Sequence, residues 1–199
     1  MLNFHQKGVH FEHNVRLFGI LPSVSFVLLP KVLAYFVQHH PNLHIRLMEG
    51  DYDQIEEWLH NGIIDIGFLV KPHSKNLVFD SIFDDELVCI MAKDHPLAKE
   101  DKLHLEQLKD ERWIMPKRTI DRDVSRILSE NKIHPNIVYE LSVDQVILTM
   151  VNENLGISIV PNSILIHAPN TLIRKKFMSR MLDTSELHTN TVFSFLQAL

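Results

Sequence analysis

Short apolar runs of strand length alternate with helix-period segments along this chain, and no other feature limits its possible folds so tightly. Val15-Arg16-Leu17-Phe18-Gly19-Ile20 reads as a buried strand closed by the breaker Pro22. From Ser23 the pattern turns helical, with Leu29, Val32, Leu33 and Phe36 spaced to line one face. Pro30 lacks an amide hydrogen, so it kinks this helix or restarts it from a first-turn position. His40-Pro41-Asn42 ends it. Leu43 to Glu49 then alternates apolar and polar residues, as a half-exposed strand does. Asp51 with Gln54 three residues on predicts a capping box opening a helix, and Asn61-Gly62 closes it. Ile63 to Val70 is a third, largely buried strand. Strand, helix, strand, helix, strand builds a right-handed parallel sheet covered by helices.

The same rhythm starts again further on. Leu87 to Ala92 reads as a strand, Leu103 to Lys109 as a short helix and Trp113-Ile114-Met115 as another strand. A helix over Arg122 to Asn131 turns Val124, Ile127 and Leu128 inward, and Asn136 to Leu141 is a strand. Ser142 and Gln145 form a second capping-box pattern. The helix behind them carries Val146, Ile147, Met150 and Val151 and stops at Gly156, before the buried strand Ile157 to Pro161. Asp84-Asp85-Glu86, between the two halves, reads as an acidic hinge-side loop. Past Pro169 the pattern loosens into strands over Thr171 to Leu182 and Thr189 to Leu196. Two such units predict two lobes, with a ligand crevice at the carboxyl ends of their strands.

Composition narrows the function. Lys and Arg number 20 against 25 Asp and Glu, a net charge of −5, whereas duplex DNA is gripped by clustered cations on phosphates. The chain by itself is therefore not expected to bind nucleic acid. A single cysteine, Cys89, rules out an internal disulfide and a multi-thiolate metal site, and its apolar neighbours predict an inert core thiol. Thirteen histidines raise the question of zinc, but His39 and His40 are adjacent and His5, His10 and His13 lie in a polar tail without a scaffold. No metal and no cofactor are expected. Gly-x-Ser-x-Gly, a phosphate-cradling Gly-rich loop and His-Glu-x-x-His are absent, so the chain does not read as an enzyme. The longest apolar run is too short for a bilayer, and Met1 to Asn14 lacks the apolar core of an export signal. A soluble cytoplasmic protein without a membrane partner is the expectation.

Several segments, taken in order, resemble one family. The first strand followed by Pro22-Ser23 and then Leu29-Pro30, the stretch from Phe36 through Pro41 to Glu49-Gly50, and Gly62-Ile63-Ile64-Asp65-Ile66-Gly67 are its first three marks. Asp94-His95-Pro96-Leu97-Ala98 directly after an apolar strand is the most distinctive. Leu105 through Leu108 with Trp113-Ile114, and Leu155-Gly156-Ile157-Ser158-Ile159-Val160-Pro161, complete the series. From Val15 to Leu196 the chain resembles the effector-binding domain of LysR-type transcriptional regulators. The resemblance implies an α/β fold of two Rossmann-like lobes, periplasmic-binding-protein-like of type 2, with crossover strands between the lobes. Lobe I would take residues 15–85 plus 168–199, lobe II residues 86–167, and residues 1–14 would be a tail or linker remnant. Members normally begin with a winged helix-turn-helix, so the implied object is a sensing half, excised or truncated, that reaches DNA only through a missing domain.

The resemblance implies a small-molecule effector, read as an organic anion, and a homodimer or higher homo-oligomer. Pro22, Ser23, Val24 and Ser25 follow the first strand at a helix start, where free amide hydrogens favour an anion, although Ser23 equally serves as a cap. Leu69 and Val70 end the third strand. Pro116, Lys117, Arg118 and Thr119 form a loop after a second-lobe strand, in which Lys117 or Arg118 either pairs with a ligand carboxylate or is a solvated cation. Ser142 and Val143 end the next strand, with capping the simpler role. A two-fold surface could combine Val32, Leu33 and Phe36 with a second-lobe helix such as Arg122 to Asn131, although core packing is the simpler role for the inward positions. A solute-binding protein of a transport system shares the two-lobed logic but needs an export segment, and a small α/β enzyme needs a perturbed nucleophile or base.

Overall fold

The computed structural model of the chain describes residues 15–22, 25, 28–70, 78–117, 122–178 and 188–195. Within these the chain divides into two units, one of residues 1–84 and 190–199 and the other of residues 85–189.

In the first unit β1 (Val15–Ile20) lies between β2 (His44–Glu49) and β3 (Ile66–Val70), parallel to both, and β10 (His188–Phe195) pairs antiparallel with β3. Helix α1 (Leu29–His39) connects β1 to β2, and α2 (Tyr52–His60) connects β2 to β3. Pro30 stands in the first turn of α1, the restart rather than the kink, because a missing amide hydrogen is harmless there. Val32 turns fully inward, and Phe36 packs edge-on against Phe18, their ring centres 6.0 Å apart. The predicted capping box is formed in full: the Asp51 carboxylate accepts from the Gln54 amide and the Gln54 side chain accepts from the Asp51 amide, each at 3.0 Å. Gly62, at φ +65°, closes α2 in the left-handed region. Strand β3 starts at Ile66 rather than Ile63, because the amides of Ile63 and Ile64 are still bound to the Trp58 carbonyl at the helix end.

The second unit centres on β8 (Ser158–Pro161), antiparallel to β4 (Val78–Met91), with β9 (Ile173–Phe177) on the far side of β4 and β5 (Lys102–Leu103) parallel to β9. On the other flank β6 (Arg112–Pro116) and β7 (Asn136–Leu141) pair in parallel, and Ile157 bridges β6 to β8 through hydrogen bonds with Ile114 and Arg112, both 2.8 Å. Helix α3 (Arg122–Glu130) joins β6 to β7, and α4 (Asp144–Asn152) joins β7 to β8. Adjacent residues of these strands feed separate cores. Leu87, Cys89, Met91, Trp113, Ile157 and Ile159 pack with Val124, Ile127 and Leu128 of α3, while Val88, Ile90, Ile114 and Val160 pack with Ile147, Leu148 and Val151 of α4. A strand buried on both faces must be apolar at every position, which is why these segments read as continuous hydrophobic runs. The Cys89 thiol is sealed in, and burial together with the charge of Glu111 pushes its pKa up.

Several expectations are corrected. The helix foreseen over Leu103 to Lys109 is one 3-10 turn, Leu105–Leu108, because Leu103 is taken into the ladder with Phe177. Strand β4 starts well before Leu87 and absorbs the supposed acidic loop, leaving Asp85 buried. On α4 the inward residues are Ile147, Leu148 and Val151, with Val146 exposed and Met150 only partly covered. The return to the first unit does not come at Ala168. Strand β9, Ile173–Phe177, belongs to the second unit, held by β4, β5 and the apolar cluster around Phe177, and the chain passes over at Thr189–Asn190 within β10. Its other passage is at Asp84–Asp85 within β4. The tail 1–14 and residues 196–199 lie outside the described residues.

Gly156 does not terminate a helix either, since α4 stops at Asn152 with Glu153 as its cap. A Cβ on Gly156 would stand 2.6 Å from the Arg112 carbonyl oxygen, so the glycine is what lets the segment before β8 lie against β6. Gly156→Ala should destabilise the chain by about 1–3 kcal/mol, read from urea unfolding. A change within about 0.3 kcal/mol would show that the backbone yields freely there.

Candidate functional site

Parallel strands joined by right-handed helical crossovers deliver their following loops to one edge of the sheet, the carboxyl edge. In the first unit that edge gathers Ile20, Glu49 and Phe68, which are paired across β2, β1 and β3, and the Gly50 amide donates to the Ile20 carbonyl at 3.2 Å. Pro22, one of the expected ligand residues, follows here and is half-buried. The Ser25 hydroxyl donates to the Leu21 carbonyl at 3.1 Å, as does the Ser25 amide at 3.1 Å, so this serine is tied to its own turn. Ser23 and Val24 lie outside the described residues. Leu69 is completely buried in the core with Phe18, Ile55 and Leu59. Val70 ends β3 opposite Thr191.

In the second unit the structure brings together residues that lie about twenty-five positions apart in the sequence. Pro116 pairs with Leu141, and the Lys117 amide donates to the Leu141 carbonyl at 2.8 Å, so the loops leaving β6 and β7 start side by side. Pro116 is buried, Lys117 is exposed and Ser142 is half-buried. Arg118 and Thr119 are outside the described residues. The capping role expected of Ser142 is not formed. Val143 is the N-cap of α4, its carbonyl accepting from the amides of Val146 (3.1 Å) and Ile147 (3.3 Å), and no side chain caps the helix. The frame is one residue later than the Ser142–Gln145 spacing suggested, because Ser142 is still turning out of β7.

No sequence signal marks two carboxyls, the half-buried Asp144 and the buried Asp85, as desolvated. Asp144, in the first turn of α4, is pushed up to about 6 by burial. It adjoins Ser142 and Val143 at the edge where Lys117 projects, so this edge offers one exposed cation and one reluctantly ionised acid. Asp85 is raised in the same direction by burial, partly offset by donors from Ser163, Glu86 and Asn162. Its Oδ1 accepts from the Ser163 amide at 3.1 Å. An aspartate in a helix's first turn is common for dipole reasons, and nothing in its sequence context announces desolvation. Among the described residues no group of three or more His, Cys, Asp or Glu side chains is placed to hold a metal ion. No helix of the described residues is long and apolar enough to cross a membrane.

The family model described as the LysR substrate binding domain matches residues 15–177. The chain belongs to that family. Among curated proteins this LysR domain is 36% identical over 150 residues to the HTH-type transcriptional activator CmpR of Synechocystis, covering 74% of this chain and 49% of CmpR. The chain thus spans about half the length of the curated relatives it matches. Among solved structures it superposes on the CcmR regulatory domain of Synechocystis in complex with 2-PG with a TM-score of 0.82 at 19% identity, covering 93% of this chain and 88% of that one. The effector binding domain of QuiR in complex with shikimate matches with a TM-score of 0.77 at 20% identity, covering 94% and 90%. These likenesses establish the type 2 periplasmic-binding-protein-like fold of LysR effector domains.

The direction of the Asp144 shift fixes a pH dependence. A carboxyl whose pKa is higher in the folded than in the unfolded chain favours folding most when protonated, below the unfolded value near 3.8, and that contribution is lost as pH rises through about 6. Asp85 has the same sign. Asp144→Asn removes the penalty of the charged form. Its stability relative to the native chain should therefore improve by about 1 kcal/mol or more between pH 4 and pH 7.5, measured by chemical unfolding at each pH. A difference independent of pH would mean that the Asp144 carboxyl is solvated in the folded chain.

Proposed function

We propose that this LysR domain is the sensing part of a cytoplasmic transcription regulator, that its effector is a small organic anion, and that DNA is read by another part of the protein. The observation that carries this reading is the family match over residues 15–177. Two neighbours support a small metabolite as effector, CcmR holding 2-PG and QuiR holding shikimate. The ligand contacts proposed are Pro22, Ser23, Val24 and Ser25 with Val70 after the first unit's strands, and Pro116, Lys117, Arg118, Thr119, Ser142 and Val143 after the second unit's. For Leu69 only the main chain is proposed, since its side chain is in the core. Lys117 supplies charge for an anion, and Asp144 in the first turn of α4, reluctant to ionise, adds little negative charge against one. A ligand acts on such a domain only through different affinities for two of its conformations.

A thermal-shift panel of small organic acids tests the reading. A binding acid at a hundred times its Kd should add about 2.7 kcal/mol of stability without being consumed. Ser23→Ala and Arg118→Ala should each weaken that acid about ten-fold or more, the weight of one hydrogen bond to a charged group. Unchanged affinity in both variants would reject the site, and turnover of the acid would reject the sensor.

We also propose that the chain pairs with a second copy of itself through the outer side of α1 and the edge strand β2. The residues named for this role from the sequence need adjusting, because Val32 and Phe36 belong to the core. Likewise Val124, Ile127 and Leu128 of α3 face inward. What α1 leaves outward is Leu33, Ala34 and Val37, the last 73% exposed, and β2 leaves Leu47 at 44%. Sedimentation should show a concentration-dependent dimer that Val37→Asp weakens at least ten-fold. A native chain that stays monomeric at every concentration would overturn this surface.

A further inference from the structure

The ring of His95 is nearly buried, at 9% exposure, and ties the residues that follow β4 to those that precede β6. Its Nδ1 accepts from the Leu97 amide at 3.3 Å, and its Nε2 lies 3.3 Å from a carboxylate oxygen of Glu111. Main-chain bonds complete the turn, from the His95 amide to the Ala92 carbonyl (3.1 Å) and from the Ala98 amide to the His95 carbonyl (2.9 Å). A ring nitrogen that accepts carries no proton, and one that faces a carboxylate must carry one. The two contacts together therefore require the neutral Nε2–H tautomer. A proton arriving on Nδ1 would point at the Leu97 N–H, so the cap is lost, while the contact with Glu111 becomes an ion pair.

We propose that His95 is a proton-operated latch: neutral, it holds the single turn Pro96–Lys99 in place, and protonated, it keeps Glu111 and releases Leu97. The turn has something to release. Leu97 and Ala98 pack against the apolar cluster that contains Leu105, Leu108, Trp113 and Phe177, so losing the cap loosens one margin of the second unit's core. The charged surroundings leave the decision to Glu111. Lys93 and Asp94 before the ring and Lys99 at the end of the turn are exposed, and Lys109 pairs with Asp110 at 4.0 Å before Glu111 is reached. From β4 comes Cys89, whose buried thiol stays protonated and so adds no charge.

Nuclear magnetic resonance of the whole ¹⁵N-labelled chain tests this. At neutral pH the ring should show an unprotonated Nδ1 and a protonated Nε2. As the ring takes up its proton, the protection of the Leu97 amide, corrected for the intrinsic pH dependence of exchange, should fall about five-fold, equivalent to about 1 kcal/mol for one hydrogen bond. His95→Asn offers a side-chain oxygen to the same amide at every pH, and there the protection should not change with pH. An Nδ1–H tautomer at neutral pH overturns the proposal. So does Leu97 protection that is constant through the ring's titration, or a ring that stays neutral until the chain unfolds. All three are read on the native chain, whether or not the variant folds.

Discussion

The pairing of β6 with β7, and of β1 with β2 and β3, is the constraint on which the rest of the molecule depends. Parallel neighbours cannot be joined by a tight turn, so each pair needs a helical crossover, and the crossover hand puts every strand's exit on the same edge. Hydrogen bonds such as Lys117 to Leu141 and Gly50 to Ile20 are the visible end of that arrangement. They bring distant stretches of sequence together through the main chain. In the second unit β4, β6 and β8 are buried under α3 and α4, which leaves their main chain no competing partner in water.

The second unit's edge carries opposite charges in different settings. Lys117 is exposed and carries a fixed positive charge, whereas Asp144 has been moved out of water into a place where its charge is costly. Burial alone pushes the Asp144 carboxyl up to about 6, so its charge responds to how far water reaches it. The chain's one thiol is fully buried in the core packed under α3.

Much of this was legible in the sequence, for identifiable reasons. The capping box at Asp51 and Gln54, the left-handed Gly62 and the inward stripe of α3 depend on local stereochemistry, which short stretches of sequence record. The order of segments from Val15 to Pro161 was legible as a family pattern for the same reason. The errors come from interactions between distant segments. Nothing near Leu103 reveals that Phe177 will claim it for a ladder, and nothing near Gly156 reveals the Arg112 carbonyl waiting above it. At Ser142 the local spacing suggested a cap, but Ser142 follows β7 directly and α4 starts one residue later without a side-chain cap. Of the expected ligand residues, Ser23, Val24, Arg118 and Thr119 lie outside the described residues. Leu69, at the end of β3, is in the core.

The central claim is that an effector is held by groups at the carboxyl edges of the parallel strands. Amide NMR of the ¹⁵N-labelled chain, titrated with an organic acid found to bind it, tests this most directly. The account predicts that the largest shift changes fall on residues directly after β1 and β3 and on Lys117, Ser142, Val143 and Asp144, with the amino-end residues Arg112 and Asn136 unmoved. Changes concentrated at those amino ends, or on the outer side of α1, would contradict it.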